Sequence, residues 1–197
     1  MRRIRAGWLV VLAAALFALP AAAQDQRFAL RFGLVLVEPT GDAFDTQGGF
    51  EVDFEWYFAP RVGFEVASLG SANADFDYNG DRVTGVGFST FTVGVNGHVV
   101  RTEKADFALG LFGGRATYTD FEFEDSSANW DAKGDSVYGA QGFVDMTVGR
   151  KWAVNVGLKY IVTQLELDSG GELDFSPVVL RVMGVYRWGR HKTPRSS

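Results

Sequence analysis

The stretch that decides the fold is Trp152 to Thr163, WAVNVGLKYIVT. Its even positions are Trp152, Val154, Val156, Leu158, Tyr160 and Val162, and between them lie Asn155, Gly157, Lys159, Ile161 and Thr163. Successive side chains of a strand point to opposite faces, so this period of two sorts a bulky apolar face from a smaller, more polar one. A helix would instead repeat every 3.6 residues, and no such repeat persists for a dozen residues after Gln24.

The same alternation returns along the chain. Phe28, Leu30, Phe32, Leu34 and Leu36 flank Arg31 and Gly33. Phe50, Val52, Phe54, Trp56 and Phe58 alternate with Glu51, Asp53, Glu55 and Tyr57. Further runs follow at Val62–Val66, Phe91–Val99, Phe107–Phe112, Tyr138–Val148 and Val178–Trp188. The run from Phe107 loses its phase at Gly113-Gly114, where a bulge is expected. Eight strands of about ten residues make an even, antiparallel set.

The two faces need two solvents. One is aliphatic with aromatics at its ends; the other mixes Gly, Ala and charges of both signs. Small and charged residues suit the crowded inside of a narrow barrel, whereas Leu, Val and Phe with terminal Trp and Tyr suit lipid and its interfaces. In lipid the sheet must close, because an open edge leaves backbone groups unpaired at several kcal/mol each. The expectation is an all-β, closed, eight-stranded antiparallel transmembrane barrel; the alternative is a soluble, lipocalin-like cup with reversed faces.

The connections agree. Ala59–Arg61, Arg101–Asp106 and Gly149–Lys151 are short, while Glu38–Gly49, Ser68–Val86, Thr119–Ser136 and Gln164–Ser176 are long. Short turns on the periplasmic side and long loops outside are the habit of outer-membrane barrels. The long connections hold sixteen acids against Arg82 and Lys133.

At the start, Arg2, Arg3 and Arg5 precede the apolar run Trp8–Leu19, then Pro20 and Ala21-Ala22-Ala23. That is the pattern of a secretory leader cleaved after Ala23, and its core is too short for a membrane helix. The domains expected are therefore a signal peptide at 1–23, a barrel at 24–188 and a basic periplasmic tail at 189–197. Of the 197 residues none is Cys, which excludes disulfides and thiolate metal sites. The formal charge of −5 becomes more negative once the three leader arginines leave, and no basic run lies inside the barrel, which argues against nucleic acid.

Little in the chain looks like catalysis. Asp75-x-Asp77-x-Asn79-Gly80 opens like a calcium loop, but Val86 stands where a bidentate Glu belongs, so a solvated hairpin tip is the expected reading. The acids Asp120, Glu122, Glu124 and Asp125 could touch cations bridging lipopolysaccharide, though a solvated face accounts for them. His98 is expected low in the barrel, facing inward as a structural group. No catalytic residue, metal site or cofactor is assigned, and the protein is expected not to be an enzyme.

The interior face separates by height. Low and middle positions hold Arg31, Glu55, Glu65, Asp145, Lys159, Arg181 and Arg187, which should pair, because a lone buried charge costs several kcal/mol. Toward the outer end the inward positions are Val35, Val37, Phe112, Phe143, Ile161, Val179 and Met183. The expectation is an apolar cup above a charged plug, able to take a small hydrophobic ligand from outside.

With the strands placed, the chain resembles the OmpW family of small eight-stranded outer-membrane barrels. The resemblance rests on Phe32-Gly33-Leu34 running to Glu38-Pro39-Thr40-Gly41, on WYFAPRVGFEVASLG ending at Leu69-Gly70, and on LGLFGGRATYT from Leu109. It continues in VNVGLKYIVT from Val154 and in Pro177 to Trp188, which ends GVYRW. It implies an outer-membrane channel or binding barrel whose small hydrophobic solutes enter the cup and leave sideways into the bilayer. The implied partners are outer-membrane lipid, lipopolysaccharide, those solutes and the barrel-assembly machinery. The chain departs from the pattern at its end, since Trp188 is followed by nine residues. A structural or surface-interaction barrel of the OmpX or OmpA type is the alternative, and a lipid A-modifying enzyme a third.

Overall fold

The computed structural model describes residues 26–40, 46–72, 74–78, 81–118, 121–123, 129–130, 132–133, 136–167, 172–174 and 176–189. The expected leader at 1–23, the tail from 190 onward and the Asn79-Gly80 tip lie outside them.

Eight strands form a closed barrel: β1 (Phe28–Glu38), β2 (Gln47–Ala59), β3 (Val62–Ser71), β4 (Phe88–Arg101), β5 (Ala105–Tyr118), β6 (Ser136–Thr147), β7 (Trp152–Val162) and β8 (Val178–Trp188). Each pairs antiparallel with its neighbour in sequence, and β8 returns to β1 in an unbroken register from Phe28↔Trp188 to Glu38↔Val178. No barrel strand has a free edge, which is what a sheet in hydrocarbon requires.

Alternation in sequence becomes alternation in burial. Along β2, Glu51, Asp53, Glu55 and Tyr57 are buried in the lumen while Phe50, Val52, Phe54, Trp56 and Phe58 face out. Twenty-five large hydrophobic side chains among the described residues are exposed on the outer wall, Leu34 and Leu111 at 72% and 70%. Fully transferring one such side chain out of water is worth roughly 1.5–3 kcal/mol, and a soluble monomer rarely shows an apolar patch beyond a few hundred Å². The bulky face therefore lies in lipid and the charged face inside, the reverse of a soluble cup.

The short-turn end carries an aromatic belt. Rings of Phe54, Phe28, Trp188, Tyr186 and Trp152 follow one another at 5.9, 5.6, 5.7 and 4.9 Å, crossing from β2 over the closing seam to β7. Aromatic groups of this kind mark the boundary of the hydrocarbon layer.

Three expectations need correction. Gly113 and Gly114 sit in regular register with Val93 and Thr92 on one side and with Tyr138 and Val137 on the other. The irregularities fall instead at Tyr57/Ala59 and His98/Val100, beside the short turns. A Cβ on Gly114 would collide with the Phe91 carbonyl oxygen and lie 2.8 Å from the Thr92 Cα, so this glycine marks close backbone approach.

Second, the long connections are largely paired. Ala74–Tyr78, Asp81–Val86, Phe121–Phe123 and Asn129–Trp130 form a four-stranded sheet, and Ala132–Lys133, Gln164–Leu167 and Glu172–Asp174 a three-stranded one. Backbone pairing continues beyond the barrel in strands of two to six residues. Asp77 there pairs with Arg82 and Tyr78 with Asp81, as a hairpin requires. Third, the turn expected over Arg101–Asp106 shrinks to Thr102–Lys104, closed by Thr102 and Ala105. Arg101 and Asp106 thereby become strand residues facing the lumen.

Candidate functional site

The interior is built around Arg31 on β1. Its guanidinium meets Asp53 at 3.0 Å, Glu55 at 2.6 Å and Asp145 at 3.0 Å, and all four side chains are fully buried. Asp53 sits directly across the ladder on β2, whereas Asp145 reaches in from β6. Only closure of the barrel makes Arg31 and Asp145 neighbours.

Toward the short-turn end the network continues. Arg187 donates to Asp145 at 2.8 Å, and Arg101 lies 3.3 Å from Asp106 and donates to the Pro60 carbonyl at 2.7 Å. His98 has Nδ1 2.6 Å from Asp106 and Nε2 3.1 Å from Glu55. Toward the other end, Glu51 pairs with Lys159 and, at 3.5 Å, with Arg181, which also reaches Asp53 at 3.4 Å. Glu65 accepts from Asn96 at 2.8 Å and from Gln141 at 2.9 Å.

All seven charged residues expected in the plug are inside: Arg31, Glu55, Glu65, Asp145, Lys159, Arg181 and Arg187 are each at most 2% exposed. With Glu51, Asp53, Asp106, Arg61 and Arg101, the buried charges balance at six carboxylates and six Lys or Arg. Glu51 and Asp53 share the parity of Glu55, so the alternation already carried them. Asp106 and Arg101 were hidden by the overlong turn. The small residues of the inner wall make room for the network: a Cβ on Gly63 would occupy the position of Glu55 Oε1, and one on Gly110 that of Asn96 Oδ1.

The seven apolar residues also face inward, at 0–6% exposure. Val37 and Val179 face each other across the β1–β8 ladder, Ile161 lies opposite Gly139, and Val35 lies opposite Arg181. Met183 faces Gly33 and Asn155, closer to the charges. Phe143 lies within the charged layer, with Arg31 and Arg181 over its ring at 4.5 and 4.8 Å, and Phe112 receives Lys159 at 5.2 Å. Cation–π contact lets these rings spread the buried charge. Nearer the long-loop rim, Phe88 and Tyr118 lie 5.5 Å apart and the Tyr118 hydroxyl reaches Thr163 at 3.1 Å.

A closed eight-stranded antiparallel wall, apolar outside, aromatic at the short-turn end and filled with paired charge, defines an outer-membrane β-barrel. The sequence profile described as "Outer membrane protein beta-barrel domain" matches residues 9–187, and the chain belongs to that family. No curated protein matches the sequence. Among solved structures, OprG from Pseudomonas aeruginosa is 13% identical, with 84% of this chain and 97% of OprG covered at a TM-score of 0.65. Neisserial surface protein A is 9% identical, covering 82% and 97% at 0.62. Outer membrane protein W of Escherichia coli is 20% identical, covering 83% and 98% at 0.51. These likenesses establish the fold. The protein is located in the outer membrane.

Proposed function

We propose that this barrel takes small hydrophobic molecules into its extracellular half and passes them sideways into the bilayer. The observation that carries the reading is the contrast between the two halves of the lumen. Through the periplasmic half, a straight path requires separating Arg31 from three carboxylates, and each uncompensated buried charge costs several kcal/mol. In the extracellular half, Val35, Val37, Ile161 and Val179 face inward above Arg181 and Lys159, with Val37 across the ladder from Val179, and an apolar ligand that reaches them replaces one apolar contact by another. That exchange is close to neutral, and burial of the ligand at ~25 cal/mol per Å² supplies affinity. In the structure these side chains are buried, so entry is coupled to their displacement.

Planar-bilayer conductance, with and without a long-chain alkyl detergent as probe, tests this. The detergent is expected to block or bind, and Val179→Asp and Phe112→Asp are expected to abolish the effect. A barrel that neither conducts nor binds the probe overturns the proposal.

A surface-interaction role is the second reading, and one observation favours it. The two small sheets beyond the barrel rim carry Asp75, Asp77, Asp81, Glu122, Glu166, Glu172 and Asp174 on paired strands. Under that reading the lumen variants leave function untouched, and loop truncation removes it. A lipid A-modifying role finds less support, since both ring nitrogens of His98 are held by carboxylates at the periplasmic end.

A further inference from the structure

Outside the lumen, a cavity of about 980 Å³ lies at the periplasmic rim and is not used by the transport reading. It is lined by Gln26, Arg150, Lys151, Trp152, Trp188 and Gly189, with Arg187 at its inner edge already bound to Asp145. Its volume is at the upper end of ligand sites, roughly 300–1,000 Å³. We propose that it is a binding site for the head group of an anionic phospholipid of the inner leaflet.

Position, charge and shape each support this. The cavity opens where the aromatic belt ends: Trp152 and Trp188 line it and belong to the stacked series through Tyr186 and Phe28. A lipid whose chains lie against the exposed wall therefore places its phosphate at this depth. Arg150 and Lys151 are exposed on the turn between β6 and β7, and the Lys151 ammonium lies 5.8 Å from the Tyr186 ring centroid, at the boundary between aromatic and aqueous surroundings. No described acid lines the cavity, so its cations lack a carboxylate there.

Gln26 adds selectivity within the head group. Its Nε2 donates to the Arg150 carbonyl at 3.4 Å, which directs the amide across the cavity, and its Oε1 is buried without a partner. A phosphate alone cannot satisfy that acceptor, but a head group with a hydroxyl beyond the phosphate can. Phosphatidylglycerol has both features.

Native mass spectrometry of the full-length processed protein, released from micelles doped with equal phosphatidylglycerol and phosphatidylethanolamine, reads the site directly. Two interfacial cations at ordinary strength predict a roughly thirtyfold preference for phosphatidylglycerol, since each contributes about fivefold. Arg150→Gln with Lys151→Gln is expected to erase the preference while the barrel keeps its heat-modifiable mobility on gels, the control for folding. Equal retention of both lipids overturns the proposal. So does a preference that survives the double substitution, the result expected if phosphatidylglycerol is selected elsewhere on the barrel. Displacement of the lipid by millimolar inorganic phosphate would show a free-anion site and also refute it.

Discussion

Replacing Arg31 by Met is the most demanding test of the interior. The guanidinium is fully buried and joins three acids from two strands, with contacts of 2.6 to 3.0 Å. Its loss does not strip those acids bare. Asp53 keeps Arg181 at 3.4 Å, Glu55 keeps His98 at 3.1 Å, and Asp145 keeps Arg187 at 2.8 Å. Removing one partner of a buried pair costs about 3–5 kcal/mol, and the surviving partners hold the total near that range instead of three times it. Against a domain stability of about 5–15 kcal/mol, this is a large fraction. Urea unfolding in liposomes, followed by tryptophan fluorescence and by the gel mobility of the folded form, measures it. Met at Lys104, an exposed site, serves as the control and should shift stability by less than about 0.5 kcal/mol. The Arg31–Asp145 pair should also show coupling of about 1–3 kcal/mol in a double-mutant cycle with Asp145→Asn. A loss below about 1 kcal/mol for Arg31→Met, or no coupling in the cycle, would refute the account of a mutually dependent plug.

Other outcomes follow from particular positions. Gly114→Val should abolish the folded, heat-modifiable band, because its Cβ meets backbone atoms of β4, whereas Gly48→Ala, with nothing within 4 Å, should fold normally. Leu111→Arg places a charge on the lipid face and should cost about 2–4 kcal/mol near mid-membrane, read as a shifted urea midpoint in liposomes. His98→Ala should lower that midpoint, because Glu55 and Asp106 each lose a partner, and should leave the lipid A profile of cells unchanged. A changed lipid A profile would revive the enzymatic reading.

Much of the barrel was legible because its signal is one-dimensional. Parity in Trp152–Val162 or Phe50–Phe58 assigns each side chain a face without knowledge of any neighbour, and the burial of β7 and β2 follows it residue by residue. Parity fails where the run is short. Beyond the rim, Ala74–Tyr78 and Gln164–Leu167 alternate over only five and four residues, and runs of that length do not stand out within long polar connections. At Gly113-Gly114 neither face carries an apolar side chain, and the gap in the pattern imitates a bulge that the register does not contain. The site was legible as a set of inward charges, with Arg101 and Asp106 lost to an overestimated turn.

The sequence by itself determined the number of barrel strands, their faces and the need for lipid, because alternation and hydrophobicity are properties of consecutive residues. It also placed acids and bases on the same inner face. Only the tertiary structure decided which of them pair: Arg31 with Asp145 across 114 positions, Lys159 with Glu51 across 108, and Phe143 between two guanidinium groups. The physical reason is closure. Height and angular position inside a barrel depend on the stagger summed around all eight strands, and no local stretch of chain encodes that sum.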